Sequence, residues 1–347
     1  MAGRLSETYV GAFHFITMFT LLRILSSTLH ASFRALCYPF KVVFSSIFKA
    51  LPSRPCQTGD AEVLGISSQP TSINDCTTVN EGDSNALSHV EIIEVRRYYP
   101  PGVSEIIGRG GECFIGAIND STVLKYPCIP GNNEGIYIEA QLLEVLGSHP
   151  RIIASKGLTE YGLTLQRASN GSLSDHIASE SFIPPHQRLL WCKQAAEAVS
   201  YIHSKHVIHC DINLRNFLLD ENFDLLLADF QGMLKSVDGK TLLDGLSREC
   251  SKSYMPRCHG DFACVKTDLF ALGSAIYFIM TGHEVFPELD SLDDDEEILS
   301  RFQNGIFPVD YHLCYDITNK CWTQCYQSAD DLVSDLSLIQ ASKGFAE

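Results

Sequence analysis

From Glu105 onward, apolar residues come in short runs broken by Gly108-Arg109-Gly110-Gly111 and by Asn119-Asp120. That pattern predicts three strands joined by tight turns over 105–126, with Lys125 at the end of the third. At Ile136–Leu146, IYIEAQLLEVL, the period becomes helical. Ile138, Leu142 and Leu146 share one face, Leu143 and Val145 lie close by, and Glu139 sits beside that face. Strands are expected again over 152–167, then helices over 186–205, 266–282, 292–303 and 328–339. Within the first of these helices, Ala195, Val199 and Ile202 recur at helical spacing. The expected fold class is α+β, a small β-rich lobe followed by a larger α-helical one.

Dense patterning covers only part of the 347 residues. Residues 1–50 carry five Lys/Arg and one acidic residue, and Tyr9–Leu22 is a mostly apolar run. A membrane span needs roughly 20 apolar residues, so this run is short for one. Arg23, Arg34 and Lys41 fall on one side of a helix, and His30 joins them. Residues 1–50 are therefore expected to be a membrane-surface or targeting segment, with a signal anchor or a docking helix as alternatives. Residues 51–91, rich in Ser, Thr, Pro, Asn and Gly, read as a flexible linker, and 92–342 as the folded domain.

Composition narrows the function. The net charge is −16, which argues against a general nucleic-acid binder, because phosphates need a basic surface. The 13 cysteines are scattered and never spaced CxxC. They read as buried thiols in a reducing, intracellular, cytoplasmic setting rather than as a metal site.

Two regions carry chemistry. Glycines 108, 110 and 111 suit either a plain hairpin turn or a loop whose amides approach an anion. Lys125, on the paired strand, could reach the same anion. Glu139 is either a solvated carboxylate or the partner that holds Lys125. Further on, IHCDINLRNFLLD (Ile208–Asp220) places His209, Asp211 and Asn216 between apolar runs. Ala228-Asp229-Phe230 begins 12 residues after Asn216. Asp and Asn oxygens beside strands are the ligands Mg²⁺ prefers, with phosphate completing the shell.

In this order the motifs resemble those of a eukaryotic-type protein kinase domain over roughly 92–340. Gly108 and Gly110 match the glycine-rich loop, Lys125 the strand-three lysine, and Glu139 the glutamate of the first helix. His209-Cys210-Asp211 matches HRD, Asn216 its metal-binding Asn, and Asp229-Phe230 the start of DFG. Leu165-Gln166-Arg167-Ala168 resembles gatekeeper and hinge, while Asp268 and Gly273 match a buried Asp and a Gly of the central helix. The resemblance implies a bilobal fold and transfer of the ATP γ-phosphate to a protein hydroxyl, Ser/Thr rather than Tyr. It implies Asp211 as base, Asn216 and Asp229 on Mg²⁺, and Lys125 on the α- and β-phosphates. It further implies that Gly108, Arg109, Gly110, Gly111, Gln166 and Ala168 line the nucleotide site. The alternatives are a pseudokinase acting as a nucleotide-binding scaffold and a small-molecule kinase.

Several positions depart from the family pattern. Cys113 replaces the third loop glycine, Val123 stands for Ala before the lysine, and Asn213 and Arg215 alter the catalytic loop. Gln231 takes the DFG glycine's place, with Gly232 next, and is expected to restrict the backbone there. Cys210 removes the HRD arginine, so phosphates on Ser236, Thr241, Ser247 or Ser251 would have one cationic receptor fewer. Arg257 in SYMPRC replaces a glutamate whose usual late-helix Arg partner is also missing, so both partners of that pair are expected to be lost together.

Overall fold

Strict alternation of side chains gives the first sheet two apolar faces, and each face builds a different part of the domain. In the computed structural model, residues 97–258 and 263–344 are described. The segments assigned from sequence to 1–50 and 51–91 lie outside them. Strands β1 (Glu105–Gly110), β2 (Cys113–Asn119), β3 (Thr122–Pro127), β4 (Ser155–Leu158) and β5 (Leu163–Gln166) form an antiparallel sheet in the order β1-β2-β3-β5-β4. Phe114, Leu124 and Tyr126 point to one face and pack with Tyr98, Val103 and Ile106. Cys113, Val123, Leu163 and Leu165 point to the other and join the main core. The β2–β3 turn falls at Asp120-Ser121, one residue later than expected, because Asn119 Oδ1 accepts the Ser121 N–H at 3.0 Å and caps the strand end.

Helix α1 (Glu134–Leu146) buries Ile136, Glu139, Leu142, Leu143 and Leu146. The buried face is therefore rotated from the expected one. Val145 is exposed, Ile138 only partly buried, and Glu139 lies inside the face rather than beside it. An apolar count alone cannot place a buried carboxylate, since its partner sits on another element.

The second lobe is mainly helical. Helices α2 (Leu173–Ser179), α3 (Pro185–Ser204), α4 (Val265–Thr281), α5 (Asp295–Gln303), α6 (Tyr315–Trp322) and α7 (Ala329–Ser342) surround two short-stranded ladders. The small residues Ala195, Ala196 and Ala198 of α3 are fully buried, and α3 packs on α4 and α7. Helix α4 is apolar on nearly all sides, as a central helix should be. A Cβ at Gly273 of α4 would stand 2.5 Å from the Cys321 Cβ of α6, so only glycine permits that helix contact. Helices α2 and α6 were not expected; at 7 and 8 residues they show too little periodicity to read. Helix α5 begins in the acidic run, with Asp295, Glu296 and Glu297 in its first turn, where the helix dipole favours negative charge. No helix of the described residues is long and apolar enough to cross a membrane.

The ladders position the chemistry. Strand β6 (Val207–Ile208) pairs with β9 (Met233–Lys235), which pairs with β10 (Thr241–Asp244). Strands β7 (Phe217–Leu219) and β8 (Leu225–Leu227) form a hairpin.

Candidate active site

Lys125 is on the core-facing side of β3, opposite Leu163 of β5 and Ile115 of β2. Its Nζ lies 2.5 Å from Glu139 Oε2 and also bonds Asp229 Oδ1. Lys125 and Glu139 are 4% and 0% exposed, so neither charge is solvated by water. Burial alone would lower the lysine pKa, but the two carboxylates raise it well above the usual range. Burial raises the Glu139 pKa even against the adjacent ammonium. Asp229 is the reverse case: burial works to raise its pKa, yet Lys125 holds it below the ordinary carboxylate value. Glu139 Oε1 also accepts the Phe230 N–H at 3.3 Å. One helix glutamate thus positions both the lysine and the backbone next to Asp229.

The β7–β8 hairpin explains why Asn216 and Asp229 meet at one place. Asn216 precedes β7, and Ala228-Asp229 follows β8. In an antiparallel pair those ends coincide, and the Ala228 N–H donates to the Asn216 carbonyl at 2.9 Å. Asp229 sits at φ 65°, a left-handed conformation costing a non-glycine residue about 1–3 kcal/mol. Cys210, at the same φ of 65°, flanks the other aspartate.

That aspartate, Asp211, is held by two amides. Asn213 Nδ2 donates to Asp211 Oδ1 at 2.9 Å, and Asn216 Nδ2 donates to Oδ2 at 3.0 Å. A carboxylate only accepts, so the Asn216 amide nitrogen must face Asp211 and its oxygen is left for another partner. Burial raises the Asp211 pKa; the amide donors and nearby positive charge hold part of the rise back. The loop itself is pinned from below by Asp268 in the first turn of α4. Its carboxylate accepts from the His209 N–H at 2.8 Å and the Cys210 N–H at 3.0 Å, and pairs with His203 Nε2 at 2.9 Å. The His209 ring packs edge-on against Phe230 at 5.1 Å and bonds the Ala228 carbonyl at 3.0 Å, tying the loop to the Asp229 segment.

The glycine hairpin closes the other side. Gly108 and Gly110 pair with Ile115 and Cys113, on the same face as Lys125. A Cβ at Gly110 would meet nothing within 4 Å, and Gly111 makes the turn at φ +53°. Arg109 departs from the expectation for a nucleotide-lining side chain. Alternation puts it on the opposite face, where its guanidinium stands 5.9 Å from the Phe114 ring centre. At the expected hinge, Gln166 ends the interior strand β5, its Oε1 accepting the Ala154 N–H at 3.3 Å, and Ala168 packs partly buried against the core.

The residues after Asp229-Phe230 correct the sequence reading in one respect. The glycine requirement lies at Gly232, not at 231. A Cβ at Gly232 would fall 2.0 Å from the Ile208 carbonyl oxygen and 2.4 Å from that of His209. Gln231 instead directs its side chain towards Gly135 of α1. Gly232→Ala is therefore expected to destabilise the domain by about 3 kcal/mol, because rigid backbone must move. Gln231→Ala should cost under about 1 kcal/mol. Urea denaturation midpoints compare the two.

A second correction concerns Arg257. It has not lost a partner but acquired a nearer one: its guanidinium lies 2.9 Å from Glu249 Oε2, with side chains 7% and 0% exposed. The Tyr254 ring stacks at 4.3 Å. Glu249, a single Glu within a polar stretch, carries no sequence signal that would have flagged it. Asn213 stood out in the sequence only as a departure from the family's catalytic loop, whereas it is the second amide on Asp211.

Comparisons with known proteins identify the family. A family model for the protein kinase domain matches residues 122–343, from β3 to the last helix. Chicken serine/threonine-protein kinase SIK2 is 35% identical over 195 residues, 54% of this chain and 23% of its own. A probable serine/threonine-protein kinase KIN1 homolog of Encephalitozoon cuniculi is 28% identical over 193 residues, 54% of this chain and 32% of its own. Mitogen-activated protein kinase kinase kinase 17 of Arabidopsis thaliana is 25% identical over 211 residues, 56% of each chain. This chain thus spans between 23% and 56% of the length of these three relatives. With the model covering more than half of it, the chain belongs to the protein kinase domain family.

Proposed function

We propose that this chain is an ATP-dependent serine/threonine protein kinase. The observation that carries the reading is the buried lysine bridging Glu139 and Asp229, on a segment that the Ala228–Asn216 hydrogen bond ties to the loop holding Asp211. Mg²⁺ fits the donors present: Asp229 keeps its side chain 40% exposed, and the Asn216 oxygen is directed away from Asp211. Asn216 and Asp229 would hold it, and when bound it supplies charge neutralisation of the phosphates.

The chain's own groups do the rest. Lys125 offers its ammonium to the α- and β-phosphates, with Glu139 fixing its direction. The glycine hairpin covers the phosphates and excludes water. Asp211 orients the acceptor hydroxyl and takes its proton as the hydroxyl oxygen bonds the γ-phosphorus and the bond from that phosphorus to the bridging oxygen breaks, releasing ADP. Positioning and electrostatics carry most of the rate. The serine/threonine assignment draws on the names of the relatives.

The test is transfer of labelled phosphate from Mg²⁺/ATP by the purified full chain to a mixed protein substrate, followed by phosphoamino-acid analysis. Phosphoserine and phosphothreonine are expected. Phosphotyrosine alone would overturn the acceptor class. No label above that of an inactive Asp211 variant would leave a nucleotide-binding module without transfer.

A further inference from the structure

Beside Asp211 stands a cation that phosphate binding does not use. Arg215 is exposed, four residues after Asp211 in the catalytic loop. Among the described residues its guanidinium has no carboxylate within ion-pair distance and no hydrogen-bond partner. Burial raises the pKa of both Asp211 and Cys250, and Arg215, acting only through space, opposes part of that rise. A small cleft, with a cavity of about 30 Å³, opens there, lined by Asn213, Arg215, Cys250, Lys252, Ser253 and Glu284 among others. The same Asn213 bonds Asp211 at 2.9 Å, so the cleft adjoins the point where an acceptor hydroxyl must arrive.

The charges in this wall do not cancel. Lys252, nearly buried, is satisfied by Glu284 at 3.0 Å. Arg215 is left over, a single positive charge in a chain of net −16. One wall comes from the catalytic loop and the other from the segment around Cys250–Ser253.

We propose that Arg215 selects acceptor segments carrying an anionic side chain, a carboxylate or a phosphorylated hydroxyl, close to the acceptor residue. This rests on the protein kinase reading above. The planar guanidinium matches either anion with two parallel hydrogen bonds. Such a contact favours the anionic peptide over its alanine counterpart by roughly 10-fold.

The test uses the full chain, Mg²⁺/ATP and a serine-acceptor peptide library. Each flanking position in turn carries Glu, phosphoserine, Ala or Arg. Wild type is expected to prefer Glu or phosphoserine about 10-fold over Ala at one position. Arg215→Gln should flatten that preference, and Arg215→Glu should reverse it to Arg at the same position only. Phosphoserine well above Glu would assign acceptors primed by an earlier phosphorylation, and parity would assign acidic ones. A profile unchanged in Arg215→Glu, or a wild-type preference for Arg, overturns the proposal. Fluorescence anisotropy of the same labelled pools reads recognition without transfer. If no peptide is phosphorylated but Glu pools bind better and Arg215→Gln loses the difference, recognition stands and the kinase reading fails. Equal binding of Glu and Ala pools by wild type overturns the recognition itself.

Discussion

Asp211→Asn is expected to cut phosphoryl transfer by about 10²–10⁴-fold, the range that a positioned proton acceptor contributes. The substitution keeps the size of the side chain and removes its basicity. Nucleotide affinity should change little, because Lys125, Asn216 and Asp229 remain. The fold should survive, since Asp211 is only partly buried and the loop below it is pinned by Asp268 through two backbone N–H groups. A small local cost is expected: one of the amide donors from Asn213 and Asn216 would face another NH₂ instead of an oxygen. Single-turnover kinetics, calorimetric titration with nucleotide and a denaturation curve separate these effects. Transfer at the wild-type rate would remove Asp211 from the chemistry.

The same residue sets a pH dependence. Only the ionised carboxylate accepts the proton, and burial favours the neutral form. As pH falls through this raised pKa, transfer should be lost at a higher pH than an ordinary, solvated aspartate would give. A plot of kcat against pH checks it. An acid limb at or below the usual aspartate range would contradict the buried environment.

The second large effect lies away from the transferred phosphate. Arg257→Met should destabilise the segment before α4 by about 3–5 kcal/mol, because it strands the Glu249 carboxylate, 0% exposed, without a counter-charge. Removing both charges is a different matter. Arg257→Met combined with Glu249→Leu should recover most of the loss, since neither desolvation cost is then incurred. Urea denaturation gives the global part, and limited proteolysis around 244–258 detects the loss if only that segment opens. A single variant within about 0.5 kcal/mol of wild type would mean that water reaches Glu249 after all. This pair bears on control as well. The segment that in the resembled family is steadied through an HRD arginine here has Cys210, fully buried, at that position, and holds its own carboxylate against its own guanidinium.

How far the chain could be read in advance differs sharply between regions. The three strands over 105–126 were legible because alternation is a property of consecutive residues, and both faces of the sheet follow from it. Lys125, Asp211, Asn216 and Asp229 were singled out because their order and spacing resemble the kinase motifs; the structure brings Lys125 against Asp229 and Asn216 against Asp211. Arg109 was misplaced for the same reason that made its neighbours legible: a run of loop-like residues turned out to continue the strand, so alternation sent it to the far face. The tilt of α1 could not be read, since Glu139 looks polar until its partner is in place.

What the sequence determined by itself is the set of chemical groups and their local spacing. Two lobes, a lysine on a strand, and two aspartates and an asparagine at strand ends all follow from short-range patterns. The tertiary structure decided which of those groups meet. Lys125 and Asp229 are 104 residues apart, and only the packing of α1 and the β7–β8 hairpin brings their charges into contact. It also decided that Gly232 rather than residue 231 must be glycine, that Asn213 steadies Asp211, and that Arg257 answers Glu249. The physical reason is common to all of them. Sterics and periodicity act between neighbours along the chain, whereas burial of charge is settled by which partner the fold brings within about 3 Å.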